Sequence, residues 1–185
     1  MKSKKIVLLG YMGSGKTAVG SLLKKTLNLP FWDLDHYLEH KFDSAVTTIF
    51  EEKGELYFRK QERLALEELL ASEESMIISL GGGTPCYYDT MYFLKSQIHV
   101  HTFYLQTAVD VLSDRLQAAK LQRPLIAHLK NIEEIQTFVG KHLFERNTFY
   151  NQADFKIITN KKSIEAIATE LKDLLTEVDS GGFSV

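Results

Sequence analysis

The run Gly10-Tyr11-Met12-Gly13-Ser14-Gly15-Lys16-Thr17 fits the pattern G-x-x-x-x-G-K-[ST], whose chemistry is a grip on the phosphates of a nucleotide. Its glycines let backbone N–H groups turn inward around an anionic chain, and a helix beginning near Gly15 adds its dipole and unpaired amides. Lys16 brings a point charge to the β- and γ-phosphates, and Thr17 a hydroxyl ligand for Mg²⁺. A glycine-rich turn of purely structural purpose is the alternative. The flanks argue against it, because the strand-like Lys5-Ile6-Val7-Leu8-Leu9 precedes the motif and a helical pattern follows.

Other residues offer partners for a substrate. Asp33 and Asp35, in Phe31-Trp32-Asp33-Leu34-Asp35, stand at the C-terminal edge of a predicted strand, where open α/β sheets hold their ligands. One carboxylate suits a metal or the nucleophile and the other substrate hydroxyls, unless either only caps the next helix. Gly81, Gly82 and Gly83 follow another strand, and three glycines in a row imply close approach of a ligand or a tight strand exit. No Asp or Glu ends that strand, so Asp33 is the best substitute for the usual magnesium-binding carboxylate. Arg59 presents a planar fork suited to a carboxylate, or else forms a weak i, i+3 surface pair with Glu62. Arg146 poses the same choice. The polar stretch 117–130, around Arg123-Pro124-Leu125, reads as a surface loop or as a lid that carries an arginine to the phosphates.

Some residue types mislead. His36-Tyr37-Leu38-Glu39-His40 spells the zinc-peptidase pattern H-x-x-E-H, yet no third ligand is evident downstream, and two exposed histidines on a helix is the preferred reading. His99 and His101 read as structural. Cys86 reads as a small apolar filler, since nothing near it in sequence would lower its pKa.

Elements that position these residues alternate along the chain. Short apolar runs at 5–10, 30–33, 76–80, 102–105 and 155–158 predict strands buried on both faces. Amphipathic stretches lie between them: Val19, Leu22, Leu23 and Leu27; then Leu64, Leu66, Leu69 and Leu70; then Ile164, Ile167, Leu171 and Leu174. Thr107 and Asp110 resemble a capping box for a helix carrying Val111, Leu112 and Leu116. The pattern is that of a parallel sheet with helices on both faces. Residues 179–185 lack periodicity and read as a disordered tail.

Composition narrows the class. A chain of 185 residues predicts one domain, with 44% apolar and 25% charged residues as in ordinary globular proteins. A net charge of −2 argues against nucleic acid or a membrane surface as the main partner. No apolar run is long enough to span a bilayer, and the basic Met1-Lys2-Ser3-Lys4-Lys5 precedes too short an apolar stretch for a signal peptide. One cysteine permits no internal disulfide and fits a cytoplasmic location.

Taken in order, these residues resemble the shikimate kinase family from the first strand to about Asn160. The phosphate loop alone fits many nucleotide-binding families. The resemblance is narrowed by Asp33-Leu34-Asp35, by Phe58-Arg59 with Glu62, by the three glycines, by Arg123-Pro124-Leu125, and by Arg146 four residues before Tyr150. It departs from the family at Leu34, where Ser or Thr is frequent, and at Asn160-Lys161-Lys162, where an arginine commonly stands by the adenine.

The resemblance implies an α/β fold of the P-loop nucleoside-monophosphate-kinase type: a five-stranded parallel sheet flanked by helices, within one domain spanning 1–178. It implies a lid at about 117–130 and a substrate-binding region at about 33–62. The implied reaction moves the γ-phosphoryl of Mg-ATP to the 3-hydroxyl of shikimate, in aromatic amino-acid biosynthesis. Gly13, Ser14, Gly15, Lys16, Thr17 and Ala18 would hold ATP, with Arg115 over the adenine and Arg123 at the transferring phosphoryl group. Thr17 and Asp33 would hold Mg²⁺, partly through water. Asp35 would bind the ring hydroxyls and orient or deprotonate the attacking one. Arg59 and Arg146 would grip the substrate carboxylate, Gly81, Gly82 and Gly83 would line the pocket, and Phe50 and Phe58 would wall it. The expected partners are these two small molecules, with no nucleic acid or membrane, and the expected state is a monomer. A kinase of another small polyol acid such as gluconate, or a silent nucleotide-binding module, are the alternatives.

Overall fold

The structure, a computed structural model, describes residues 3–120 and 124–180. Its centre is a parallel sheet of five strands in the order β2-β3-β1-β4-β5: β1 (Lys5–Leu9), β2 (Phe31–Asp33), β3 (Met76–Ser79), β4 (Val100–Gln106) and β5 (Phe155–Ile158). Strand β1 is the middle one, with Val7 opposite Ile78 of β3 and Thr102 of β4. All five predicted strands are present. β4 is longer than its apolar run because Val100 and His101 also pair with β1.

Alternation along each strand sorts its side chains between two cores. Ile6, Leu8, Ile77, Phe103, Leu105 and Ile157 face α1 (Lys16–Leu27) and α9 (Ile164–Asp179), packing against Val19, Leu23, Ile167 and Leu171. Val7, Leu9, Ile78 and Tyr104 face the opposite way. There they meet α2 (Leu34–Phe42), α3 (Val46–Lys53), α4 (Glu55–Ala71), α6 (Val109–Ala118) and α8 (Ile132–Tyr150). Short helices α5 (Thr90–Lys95) and α7 (Pro124–Ala127) and one 3-10 turn, Thr84–Cys86, complete the described elements. Truncating a fully buried side chain such as Leu66 to Ala would cost about 2–5 kcal/mol. Among the described residues, no helix is long and apolar enough to cross a membrane.

Three details of the sequence reading need correction. Thr107 does not cap α6: the N-cap is Ala108, and the Thr107 hydroxyl pairs with that of Thr159 at 2.6 Å instead. Asn160 Oδ1 holds the Ala108 N–H at 2.8 Å, so a distant loop does the work of a local cap. Leu64 is exposed, because α4 turns Phe58, Glu62, Ala65, Leu66 and Leu69 inward. The last helix runs to Asp179, capped at its start by Ser163 on the Ala166 N–H, while 181–185 lie outside the described residues.

Candidate active site

Every predicted binding residue among the described ones sits at the C-terminal edge of the sheet. The phosphate loop leaves β1 and enters α1 with Gly13 and Gly15 at φ 83° and 98°, backbone that L side chains rarely adopt. Lys16 Nζ lies across the loop, donating to the carbonyls of Gly10 and Tyr11 at 2.8 and 3.1 Å. Ser14 is buried beneath the loop, and Thr17 and Ala18 open to solvent at its mouth. Arg115, from α6, donates Nη1 to the Gly13 carbonyl at 2.9 Å. Gly13, Gly15, Lys16, Thr17, Ala18 and Arg115, together with Asp33, Asp35, Gly81 and Gly82, border a cavity of about 380 Å³.

Asp33 occupies the N-cap position of α2, yet its side chain makes no capping bond. Its Oδ2 accepts the Thr17 hydroxyl at 2.9 Å. A hydroxyl and a carboxylate at the loop's mouth form a hard oxygen donor set, which fits Mg²⁺ completed by phosphate oxygens and water. Asp35 lies one step deeper. Burial, then the neighbouring Asp33 carboxylate, push its pKa up, and Lys16 and Arg59 pull it back only in part.

Arg59 is the centre of a second cluster. Its Nη1 donates to Glu62 at 2.6 Å, and Glu62, almost wholly buried, also accepts the Thr84 hydroxyl at 2.6 Å. The pair predicted for the surface is therefore internal. Burial pushes the Glu62 carboxyl up against the pull of Arg59. The opposite edge of the guanidinium faces Glu55 Oε1, at 3.4 Å from Nε and 3.3 Å from Nη2. Rings of Tyr87, Phe50 and Phe58 lie 4.5, 5.4 and 5.6 Å from Cζ.

This cluster also accounts for the glycine triplet. A Cβ at Gly81 would lie 2.7 Å from Glu62 Oε1 and 2.9 Å from Asp35 Oδ1, and one at Gly83 only 2.6 Å from Arg59 Nη2. The protein's own charged side chains need that space. Gly82 is less confined, with Met12 N at 3.4 Å from a Cβ, and its carbonyl takes the Tyr150 hydroxyl at 2.5 Å.

Arg146 approaches from α8, its Nη1 3.4 Å from the Gly82 carbonyl and its Cζ 5.4 Å from the Tyr11 ring. Tyr11, whose phenol burial pushes up to about 12, hydrogen-bonds His142 Nδ1 at 3.0 Å and so ties the phosphate loop to α8. Arg59 and Arg146 border one cavity of about 850 Å³, beside Phe50, Tyr87, His142 and Phe149. Met12 borders both this cavity and the smaller one.

The predicted substrate region at 33–62 covers only one side of the cavity, since Tyr87, Leu125, His142 and Arg146 close it from elsewhere. Phe50 walls it, but Phe58 stands behind Phe50, the ring centroids 4.4 Å apart, within the core. Arg123 lies outside the described residues. Downstream of it, Ile126 is fully buried and Leu125 borders the cavity. The thiol of Cys86, pushed up to about 11 by burial, is unsuited to nucleophilic work. His36 and His40 are exposed on α2, and among the described residues no three His, Cys, Asp or Glu side chains gather as a metal cage.

Glu62, Glu55, Tyr87 and His142 escaped the sequence reading as site residues. Glu62 and Glu55 carried a signal, their three- and four-residue spacings from Arg59, while Tyr87 and His142 carried none.

Comparison with known proteins finds a family model, described as Shikimate kinase, matching residues 12–176. A shikimate kinase of Flavobacterium psychrophilum is 46% identical over 172 residues, 93% of this chain and 99% of that one. The crystal structure of the shikimate kinase of Bacteroides thetaiotaomicron has a TM-score of 0.86 at 39% identity, covering 94% of this chain and 98% of that one. The Acinetobacter baumannii shikimate kinase, solved in complex with shikimate, has a TM-score of 0.81 at 31% identity, covering 95% and 94%.

Proposed function

The chain belongs to the shikimate kinase family and transfers the γ-phosphoryl of ATP to the 3-hydroxyl of shikimate, in aromatic amino-acid biosynthesis; we propose that the two adjoining cavities divide the substrates. ATP phosphates occupy the smaller cavity and shikimate the larger. The observation that carries this division is the convergence of Arg59 and Arg146, from different helices, on one cavity next to the Thr17–Asp33 pair.

Phosphoryl transfer asks for position and charge neutralisation more than for covalent chemistry. Lys16 and the loop amides hold the β- and γ-phosphates, with Gly13, Ser14, Gly15, Thr17 and Ala18 shaping the cradle and Arg115 bracing it. Thr17 and Asp33 hold Mg²⁺, partly through water, and the ion supplies charge neutralisation at the phosphates when bound. Arg59 and Arg146 grip the carboxylate of shikimate in the larger cavity, its ring reaches the junction with the smaller one at Gly81, Gly82 and Asp35, and Gly83 leaves the room that Arg59 needs. Asp35 receives the ring hydroxyls and orients the attacking one. Its raised pKa also makes it a better proton acceptor near neutral pH than an ordinary aspartate.

Arg123 meets the transferring phosphoryl group from a lid at about 117–130. The burial of Ile126 beside the cavity-lining Leu125 supports a lid anchored at its C-terminal end. Its closure excludes water and favours transfer to the hydroxyl over hydrolysis. The unit at work is one domain over 1–178, acting as a monomer in the cytoplasm.

The test is ADP release coupled to NADH oxidation, with Mg-ATP and shikimate, quinate, gluconate or no acceptor. Turnover is expected with shikimate alone. Equal rates with gluconate, a hydroxy acid whose carboxylate the two arginines would also hold, would refute selection of the shikimate ring.

A further inference from the structure

Arg59 has two in-plane edges, and they are held very differently. Nη1 meets Glu62 at 2.6 Å, and Glu62 is anchored by burial and by the Thr84 hydroxyl. That edge cannot open without stranding a buried carboxylate. The Nε–Nη2 edge is the one with the geometry to receive a carboxylate side-on. It faces one oxygen of Glu55 at 3.3–3.4 Å, longer than the ~2.7–2.9 Å of a good charge-assisted bond. Glu55 is half exposed and borders the larger cavity. The same Oε1 accepts the Tyr87 hydroxyl at 2.6 Å, so Tyr87 rather than Arg59 fixes where it stands. The Tyr87 ring, 4.5 Å from Cζ, covers a face of the guanidinium and leaves the edges for recognition.

We propose that Glu55 is an internal competitor for the substrate carboxylate: pinned by Tyr87 against the Nε–Nη2 edge of Arg59, it must yield that edge before the acid is clamped. This rests on the assignment of Arg59 to the carboxylate of shikimate. Exchange of one carboxylate for another gains little by itself, so a ligand that brings only a carboxylate has no means to displace Glu55. One that also places ring hydroxyls on Asp35 does. Glu55 therefore sharpens selection for hydroxy acids at a cost in affinity. The Tyr87 hydroxyl holds the Glu55 carboxyl below its usual range, so the competitor stays ionised at neutral pH.

The cost follows from the fraction of enzyme with the edge open. A half-exposed ion pair of ordinary strength keeps that fraction near one third to one sixth, so releasing it tightens binding about three- to sixfold. Isothermal titration of shikimate into the wild type, Glu55→Gln and Tyr87→Phe tests this, with the primary amide of shikimate as an uncharged control. Expected are a Kd for shikimate about three- to sixfold lower in Glu55→Gln, a smaller gain in Tyr87→Phe, and no gain for the amide. An unchanged or higher Kd in Glu55→Gln would overturn the proposal, leaving Glu55 as a support for Arg59. An equal gain for the amide would overturn it too, since competition for the edge requires a charge. Arg59→Ala separates this from the underlying assignment. If that variant binds shikimate normally, the clamp itself is wrong, whatever Glu55 does.

Discussion

Gly83 is the floor under Arg59: a Cβ there would lie 2.6 Å from Nη2 and 2.8 Å from Cζ. The colliding atoms are the far end of a flexible side chain, so Gly83→Ala moves the guanidinium more than it strains the fold. Its expected signature is a KM for shikimate raised about tenfold, one lost charge-assisted contact, with a lowered melting temperature, because Nη1 is pushed off the buried Glu62 carboxylate, and a KM for ATP close to wild type. Steady-state kinetics beside a melting curve checks it.

Glu62→Ala removes the fixed partner of Arg59 and of the Thr84 hydroxyl at once. A buried guanidinium left short of a carboxylate costs about 2–4 kcal/mol, tempered here by Glu55. Glu62→Gln keeps acceptor and shape and is expected to lose less than half as much in urea unfolding.

Asp35 gives the pH dependence a sign. Its pKa is raised, so as pH falls it is protonated earlier than an ordinary aspartate, and kcat/KM for shikimate declines above the usual carboxylate range. Asp35→Asn abolishes that limb and lowers kcat by about 10²–10⁴. The same shift means the native state holds its proton more tightly than the unfolded chain. The stability this gives is present below the unfolded pKa and lost as pH rises through the folded one. Asp35→Asn is therefore expected to melt higher than wild type at neutral pH, with the advantage fading in acid.

Thr17→Val leaves Asp33 without the hydroxyl that it accepts. The expected result is a several-fold higher Mg²⁺ concentration for half-maximal rate, and EDTA should abolish turnover in both proteins. A magnesium titration at fixed ATP would reveal an unchanged requirement if the pair does not hold the ion.

Two cations should separate by kinetics. Lys16→Ala is expected to lower kcat by about 10²–10³, the loss of one fixed charge at the reacting phosphates. Arg123→Ala should lower kcat more than it raises the KM for shikimate. A pure KM effect would remove Arg123 from the transferring group.

The phosphate loop and all five strands were legible in the sequence because their signals are local. Eight contiguous residues specify a loop whose glycines and lysine act within a few ångströms of one another, and an apolar run bounded by turns specifies a strand buried on both faces. Asp33, Asp35, Arg59 and Arg146 were legible as types of chemistry, each with a bland alternative that spacing did not remove. Packing removed it. Asp33 stands at a helix cap and yet bonds Thr17, sixteen residues away, because β1 and β2 end at the same edge of the sheet.

What the sequence determined by itself was therefore the fold class and the inventory of charges that a phosphate and a hydroxy acid require. Tertiary structure alone decided how those charges hold one another. Glu55 and Glu62 stand four and three residues to either side of Arg59 on one helix, and the sequence offers no reason to rank them. The glycine strand exit and Thr84 bury one, and Tyr87 holds the other at the rim. Burial makes the first a fixed support and exposure leaves the second free to yield, because the cost of parting an ion pair rises as water is excluded from it.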